Sequence, residues 1–295
     1  MIRLSDYLKD AYGEKLYRLS LSSGCTCPNR DGTLGTKGCT FCSEGGSGDF
    51  AAPFADLDTQ IRDAKARIAG KTDAEHFIAY FQSFTNTYGD PERLEALYTE
   101  ALRRDDIAVL ALGTRPDCLG EEILELLTAL NAEKPVWVEL GLQTVHERTA
   151  EQIRRGYPLP VFEEAYRKLK ARGLTVIVHV IFGLPGETKE DMLDTVRYLA
   201  ALTPPLDGVK LQMLQVLRGT DLGNQYEAEP FPLLSLSEYA DLIAEAVQLL
   251  PENCVLHRMT GDGPRALLLA PLWSLQKRHV LNTINHRIRE KTAQR

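Results

Sequence analysis

Between residues 16 and 258 the chain alternates short apolar runs with amphipathic stretches, and this rhythm constrains the fold more than any other feature. Residues 16–22 alternate apolar and polar side chains, as a strand does, and 76–81, 107–112, 136–142, 174–182 and 209–217 are further strand-like runs. Segments 57–69, 91–103, 121–131, 160–172, 189–202 and 237–250 read as helices, and 160–172 stops at Gly173, a common helix terminator. A last short strand over 255–258 and a terminal helix over 274–289 complete the series. Strands and helices alternating at this spacing imply parallel strands with right-handed crossovers. Six or seven such units fit an open α/β barrel, a partial (β/α)6 TIM-like barrel, better than a closed eightfold one. Barrels of this kind carry their chemistry on loops at the carboxyl ends of the strands. The expected layout is a barrel over 1–250, a cysteine-bearing loop over 24–48 and a C-terminal extension over 251–295.

The 295 residues are 44% hydrophobic and 25% charged, which allows a sizeable buried core. No apolar run approaches the ~20 residues needed to cross a bilayer, and the first nine residues lack the apolar core of a secretion signal. The expectation is a cytoplasmic chain with no membrane partner. A net charge of −7 counts against a general polyanion binder. The last stretch runs the other way: Lys277, Arg278, Arg287, Arg289, Lys291 and Arg295 stand against Glu290. It is either a solvated terminal helix or a local phosphate-binding patch.

Four of the six cysteines, Cys25, Cys27, Cys39 and Cys42, fall within eighteen residues. In a cytoplasmic chain such clustering reads as metal binding rather than disulfides. Cys118 and Cys254 stand apart as packing residues. Cys27, Cys39 and Cys42 have the spacing C-x11-C-x2-C just after the first expected strand. Thiolates suit iron–sulfur clusters and zinc. Three thiolates on a four-iron cluster leave one iron open to a reactant, whereas structural zinc wants four ligands. Cys25 could complete a zinc site, although C-x-C is tighter than the usual zinc spacing. Phe41, between Cys39 and Cys42, should shield one face of a cluster.

The stretch Cys27-Pro28-Asn29-Arg30-Asp31-Gly32, followed by Gly38-Cys39-Thr40-Phe41-Cys42, resembles the radical S-adenosylmethionine superfamily, and specifically the YhcC/YtqA group related to the Elongator catalytic subunit. Further marks are 81–88 (FQSFTNTY), 113–117 (GTRPD), 139–143 (ELGLQ), 182–188 (FGLPGET) and 257–264 (HRMTGDGP), so the resemblance covers nearly the whole chain. It implies a barrel of the radical SAM type, with a [4Fe-4S] cluster on Cys27, Cys39 and Cys42. It also implies that S-adenosylmethionine (SAM) docks on the open iron and is cleaved by one electron to a 5′-deoxyadenosyl radical. The cofactors supply that chemistry, and the protein orients them and excludes water.

By the same resemblance, Gln82, Ser83, Thr85 and Asn86 would receive the methionine end of SAM, although the Gly-Gly-Glu run common there is absent. Glu139, at the end of its strand, and Gln143 would meet the ribose hydroxyls or the amino group. Gly183, Pro185 and Gly186 would lie along the adenine, since glycine lets backbone approach a flat ligand. His179 replaces a family glycine and is either packed or catalytic. Lys210, Gln212 and Gln215 are placed on the strand over 209–217, with Lys210 and Gln212 on one face. The candidates for catalysis are Lys210, Asp117, His257 and Asp262, with Arg115, Arg258 and Arg265 as further substrate contacts.

Relatives of the Elongator type act on tRNA wobble uridine. The implied reaction is on the side chain at the 5-position of that base, carboxymethylaminomethyl towards aminomethyl. The implied electron donor is a flavodoxin or ferredoxin. The alternatives are radical chemistry on a small metabolite or protein side chain, and a non-catalytic zinc or iron–sulfur scaffold.

Overall fold

The computed structural model describes residues 2–46, 48–49, 51 and 54–293. In chain order its strands are β1 (Ile2–Arg3), β2 (Tyr17–Leu21), β3 (Phe77–Phe81), β4 (Ile107–Thr114), β5 (Val136–Gln143), β6 (Thr175–Phe182), β7 (Gly208–Met213), β8 (Val216–Leu217), β9 (Val255–Arg258) and β10 (Leu268–Ala270). The helices are α1 (Leu4–Tyr12), α2 (Leu57–Ile68), α3 (Pro91–Leu102), α4 (Glu121–Glu133), α5 (Glu147–Gln152), α6 (Leu159–Ala171), α7 (Lys189–Ala200), α8 (Asp221–Ala228), α9 (Leu236–Leu249) and α10 (Lys277–Ala293).

One parallel sheet has the order β1-β9-β7-β6-β5-β4-β3-β2. Strands β2 to β7 are the six expected units, and the edge strands β1 and β2 do not pair with each other among the described residues, so the barrel stays open. The sheet curls strongly all the same. Arg18 on β2 hydrogen-bonds His257 on β9 at 3.1 Å, although five strands separate β2 from β9 in the sheet order.

Alternation along the strands sorts the two faces. Leu110, Leu112, Val138, Leu140, Val176, Val178, Val209 and Leu211 point outward into the core beneath the helices. Each buried side chain of this size contributes roughly 1.5–3 kcal/mol of transfer free energy. Ile78, Val109, Ala111, Trp137 and Ile177 point inward and pack with Leu8 of α1, which plugs the amino-terminal end of the barrel. Helices α7 and α9 begin at capping boxes on Thr188 and Ser235, which satisfy otherwise orphaned amides.

Two expectations change, and one strand is added. The strand over 209–217 divides: β7 ends at Met213, the Leu214 amide turns to the Phe182 carbonyl at 2.8 Å, and β8 pairs antiparallel with β10. Gln215 therefore lies in the turn between β7 and β8, not on the strand with Lys210. Strand β1 joins the sheet beside β9; two residues are too few to show a periodicity.

The basic terminal helix is largely neutralised. Lys277 pairs with Asp262, Arg287 with Asp241 and Glu290, and Lys291 with Glu245, while Val280 and Ile284 are buried. Arg278 and Arg289 are exposed. Arg295 lies outside the described residues. Among the described residues no helix is long and apolar enough to cross a membrane.

Candidate active site

At the carboxyl ends of the strands, the loop after β2 folds over the barrel mouth. Its glycines permit this: a Cβ on Gly46 would sit 2.4 Å from Phe84, and one on Gly48 2.0 Å from Ser83. Under this loop lies a cavity of about 120 Å³ that Cys27, Cys39 and Cys42 all line. Cys25 is not among its walls; it is buried nearby, where the Arg93 guanidinium donates to its sulfur at 3.2 Å.

The surroundings of the three thiols suit thiolates. Asn29 donates to Cys39 Sγ at 3.5 Å and to the Arg154 carbonyl at 2.8 Å, tying the loop to the segment after α5. Arg30 donates to the Cys42 and Ser43 carbonyls. The Cys39 thiol is pulled down to about 6, first by its contact with Cys42, against burial, with help from Arg115, Asn29 and Arg30. Soft, partly ionised sulfur on one wall fits an iron–sulfur cluster. When bound, that cluster and SAM supply a hydrogen-abstracting carbon radical. The chain's own part is to hold both, to orient the substrate and to keep water out.

The same cavity is lined by Gln82, Thr85, Glu139 and Gln143 of the expected cofactor residues. Gln143 sits at φ +68, and its buried Oε1 lacks a partner, the kind of strained, unsatisfied group found at ligand sites. Ser83 is buried against Gly48. The Asn86 side chain is fully engaged elsewhere: it accepts from Ser23 Oγ at 2.6 Å and donates to the Phe81 and Gly113 carbonyls. The turn at Gly183, Pro185 and Gly186 is outside this cavity, because Gly183 packs towards Leu234 and Leu214.

Glu139 is not at a strand end. It is mid-strand on β5 and fully buried inside the barrel, because the inward register of β5 passes through Trp137, Glu139 and Gly141. Its Oε1 accepts from Arg18 at 3.1 Å, and its Oε2 from His179 Nε2 at 2.8 Å and from Lys210. Lys210 also donates to Tyr80 Oη at 3.0 Å. Burial opposes ionisation of Glu139, but Lys210, Arg18 and His179 outweigh it and hold the carboxyl well below its ordinary range. Burial and the charge of Lys210 push His179 down to about 4, against the pull of Glu139. A neutral His179 therefore keeps its proton on Nε2, facing the carboxylate, and presents Nδ1 as an acceptor.

A second cavity of about 140 Å³ adjoins the first and shares Phe41, Gln82, Gln143 and His179 with it. Gln212, Gln215, Arg258 and Asp262 form its far wall. Of the other candidates, Asp117 forms a two-bond pair with Arg115, and Arg115 lies over the Tyr157 ring in the first cavity. His257 sits lower, edge-on to Trp137, and Arg265 is exposed on the surface. A wider groove of about 690 Å³ lies behind the cysteine loop, but none of the three cysteines reaches it.

Sequence reasoning passed over Arg18, Tyr80, Arg155 and Tyr157. Arg155 is buried in the first cavity's wall and donates to the Leu142, Thr144 and Tyr157 carbonyls. A signal existed for Arg18: it takes an inward position in a strand whose outward residues are Tyr17, Leu19 and Leu21.

Comparison with known proteins agrees with this geometry. Residues 26–199 match the model of the radical SAM superfamily, and residues 206–290 that of the radical SAM C-terminal domain. The chain is 41% identical over 283 residues to YtqA of Bacillus subtilis, covering 96% of this chain and 87% of that one. It is 35% identical to YhcC of Escherichia coli, covering 89% and 84%. A tRNA uridine(34) acetyltransferase of Methanocaldococcus jannaschii is 28% identical over 163 residues, covering 54% of this chain and 29% of that one. The solved structure of the archaeal Methanocaldococcus infernus Elp3 superposes with a TM-score of 0.65 at 17% identity, covering 86% and 58%. A parallel half-barrel, three thiols lining one cavity at its mouth and these relatives lead to one conclusion: the chain is an enzyme of the radical SAM superfamily, whose cofactors are a [4Fe-4S] cluster and SAM, and it belongs with the YtqA and YhcC group.

Proposed function

We propose that this enzyme modifies the side chain at the 5-position of tRNA wobble uridine, converting a carboxymethylaminomethyl group towards aminomethyl. The observation that carries the reading is the second cavity. It adjoins the cysteine cavity, and its wall combines amides of Gln82, Gln143, Gln212 and Gln215 with the charges of Arg258, Asp49 and Asp262. Amides both donate and accept, as the edge of a uracil ring does. Charges of both signs suit a side chain that carries an amine and a carboxylate. The similarity to a tRNA uridine(34) acetyltransferase supports a tRNA substrate.

In this reading Cys27, Cys39 and Cys42 hold the cluster, and Gln82, Thr85, Gln143 and Glu139 border the SAM site. A flavodoxin- or ferredoxin-type protein supplies the electron. With few unpaired cations on α10, tRNA affinity rests on a limited number of phosphate contacts and should fall with added salt. Nucleoside mass spectrometry of tRNA from a strain lacking the gene tests the reading. The expected profile gains carboxymethylaminomethyl uridine and loses its aminomethyl products; an unchanged profile rejects it.

A further inference from the structure

Arg258 is the only lysine or arginine among the described residues lining the second cavity. It ends β9 and is mostly buried, with a side chain 23% exposed. Its guanidinium is loosely engaged. One contact is to Asp262 Oδ2 at 3.5 Å and the other to Gln212 Oε1 at 3.4 Å, both at the long limit for such bonds. Asp262 is held more firmly from the other side, where Lys277 donates to both its oxygens at 2.9 Å. A guanidinium has five donors in a planar fork, so most of those on Arg258 stay open towards the cavity.

The wall around Arg258 is built closely. Gly261 and Gly263 bracket Asp262 and press on Gln215: a Cβ on Gly263 would lie 2.4 Å from Gln215 Oε1. The turn that carries Asp262 therefore has little room to move onto Arg258. Asp49, whose carboxylate accepts from Ser43 Oγ at 2.9 and 2.8 Å, supplies a negative charge to the same cavity.

We infer that Arg258 is the carboxylate clamp of the substrate site, gripping the carboxymethyl end of the uridine side chain by a two-bond guanidinium–carboxylate pair. The inference rests on the wobble-uridine reading and deepens it: it names the residue that separates a carboxymethylaminomethyl substrate from its aminomethyl product. Lys277 contributes at one remove, by keeping Asp262 from closing on the guanidinium. Such paired bonds are both strong and geometrically selective.

The test compares binding of two anticodon stem-loops, one carrying carboxymethylaminomethyl uridine and one aminomethyl uridine, to cluster-loaded protein with SAM. The proteins are wild type, Arg258→Gln and Arg258→Lys. Wild type should prefer the carboxylate-bearing loop about ten- to a hundredfold, the range set by charge-assisted hydrogen bonds. Arg258→Gln should lose that preference, with the loss falling on the carboxymethylaminomethyl loop far more than on the aminomethyl loop. Arg258→Lys, which keeps the charge without the fork, should retain part of it, and so shows that the loss is not a folding defect. A preference undiminished in Arg258→Gln overturns the clamp and leaves the wobble reading standing. A wild-type protein that binds both loops equally also overturns the clamp, and one that binds neither overturns the wobble reading with it.

Discussion

Lys210 on β7 and Glu139 on β5 form an ion pair deep inside the barrel, across β6, with both side chains all but inaccessible to solvent. Arg18 and His179 close on the same carboxylate, so the floor beneath the two cavities is a single charged network. Its members come from four strands, and the curl of the sheet is what brings them together.

Removing Lys210 takes away one of the two cations on a fully buried carboxylate and leaves Arg18 as its remaining charged partner. Lys210→Met should therefore destabilise the protein by about 3–5 kcal/mol, measured by urea unfolding of the cluster-free chain. A cost below about 1 kcal/mol would mean that water reaches the pair.

The network also sets a pH response. His179 is held down to about 4, below its unfolded value, and burial pushes His257 down as well. Between that folded value and about 6.5 the unfolded chain binds more protons at this site, so the His179 share of stability is full near pH 7.5 and falls as pH drops. Glu139, also depressed, adds its loss only below about 4.5. Unfolding at pH 7.5 and 5.0 should differ by about 2 kcal/mol from His179 alone. His179→Gln, which keeps a donor to Glu139, should flatten that difference, leaving the share of His257. An unchanged slope would contradict the assignment.

Much of this was legible in the sequence. The strand–helix rhythm predicted the six parallel units, and the cysteine spacing led to the mouth of the barrel. What escaped has a physical reason. Glu139 and Lys210 read as strand residues near a site, but which face they take depends on register and curl, and those emerge only when all the strands pair. Asn86 looks like a ligand residue in sequence, yet its amide caps the ends of β3 and β4. Gln215 looks like a strand residue in sequence because the apolar run continues through the break at Leu214, where a backbone amide leaves the ladder for Phe182.

Gly156 should not tolerate a side chain. It has φ +84, and a Cβ there would lie 2.6 Å from Asn29 Oδ1. Gly156→Ala would displace the asparagine that tethers the cysteine loop to Arg154. The expected result is a loss of about 1–2 kcal/mol and a protein that retains less iron after gel filtration. Iron retention equal to wild type would show that the tether is dispensable.

The cysteines divide by position. Cys39→Ala should abolish iron binding and 5′-deoxyadenosine formation. Cys25→Ala should keep most of both, since Cys25 faces Arg93 rather than the cavity. Loss of iron in the Cys25 variant, measured by metal analysis and product chromatography, would show that the wrong thiols had been assigned.

In the proposed arrangement three thiolates, and no fourth, hold the cluster and leave one iron open to SAM. Electron paramagnetic resonance of the anaerobically reduced protein, recorded with and without SAM, tests this most directly. The account predicts a [4Fe-4S] signal whose g-values shift when SAM is added. A signal indifferent to SAM, or a protein that carries zinc and no iron, would contradict it.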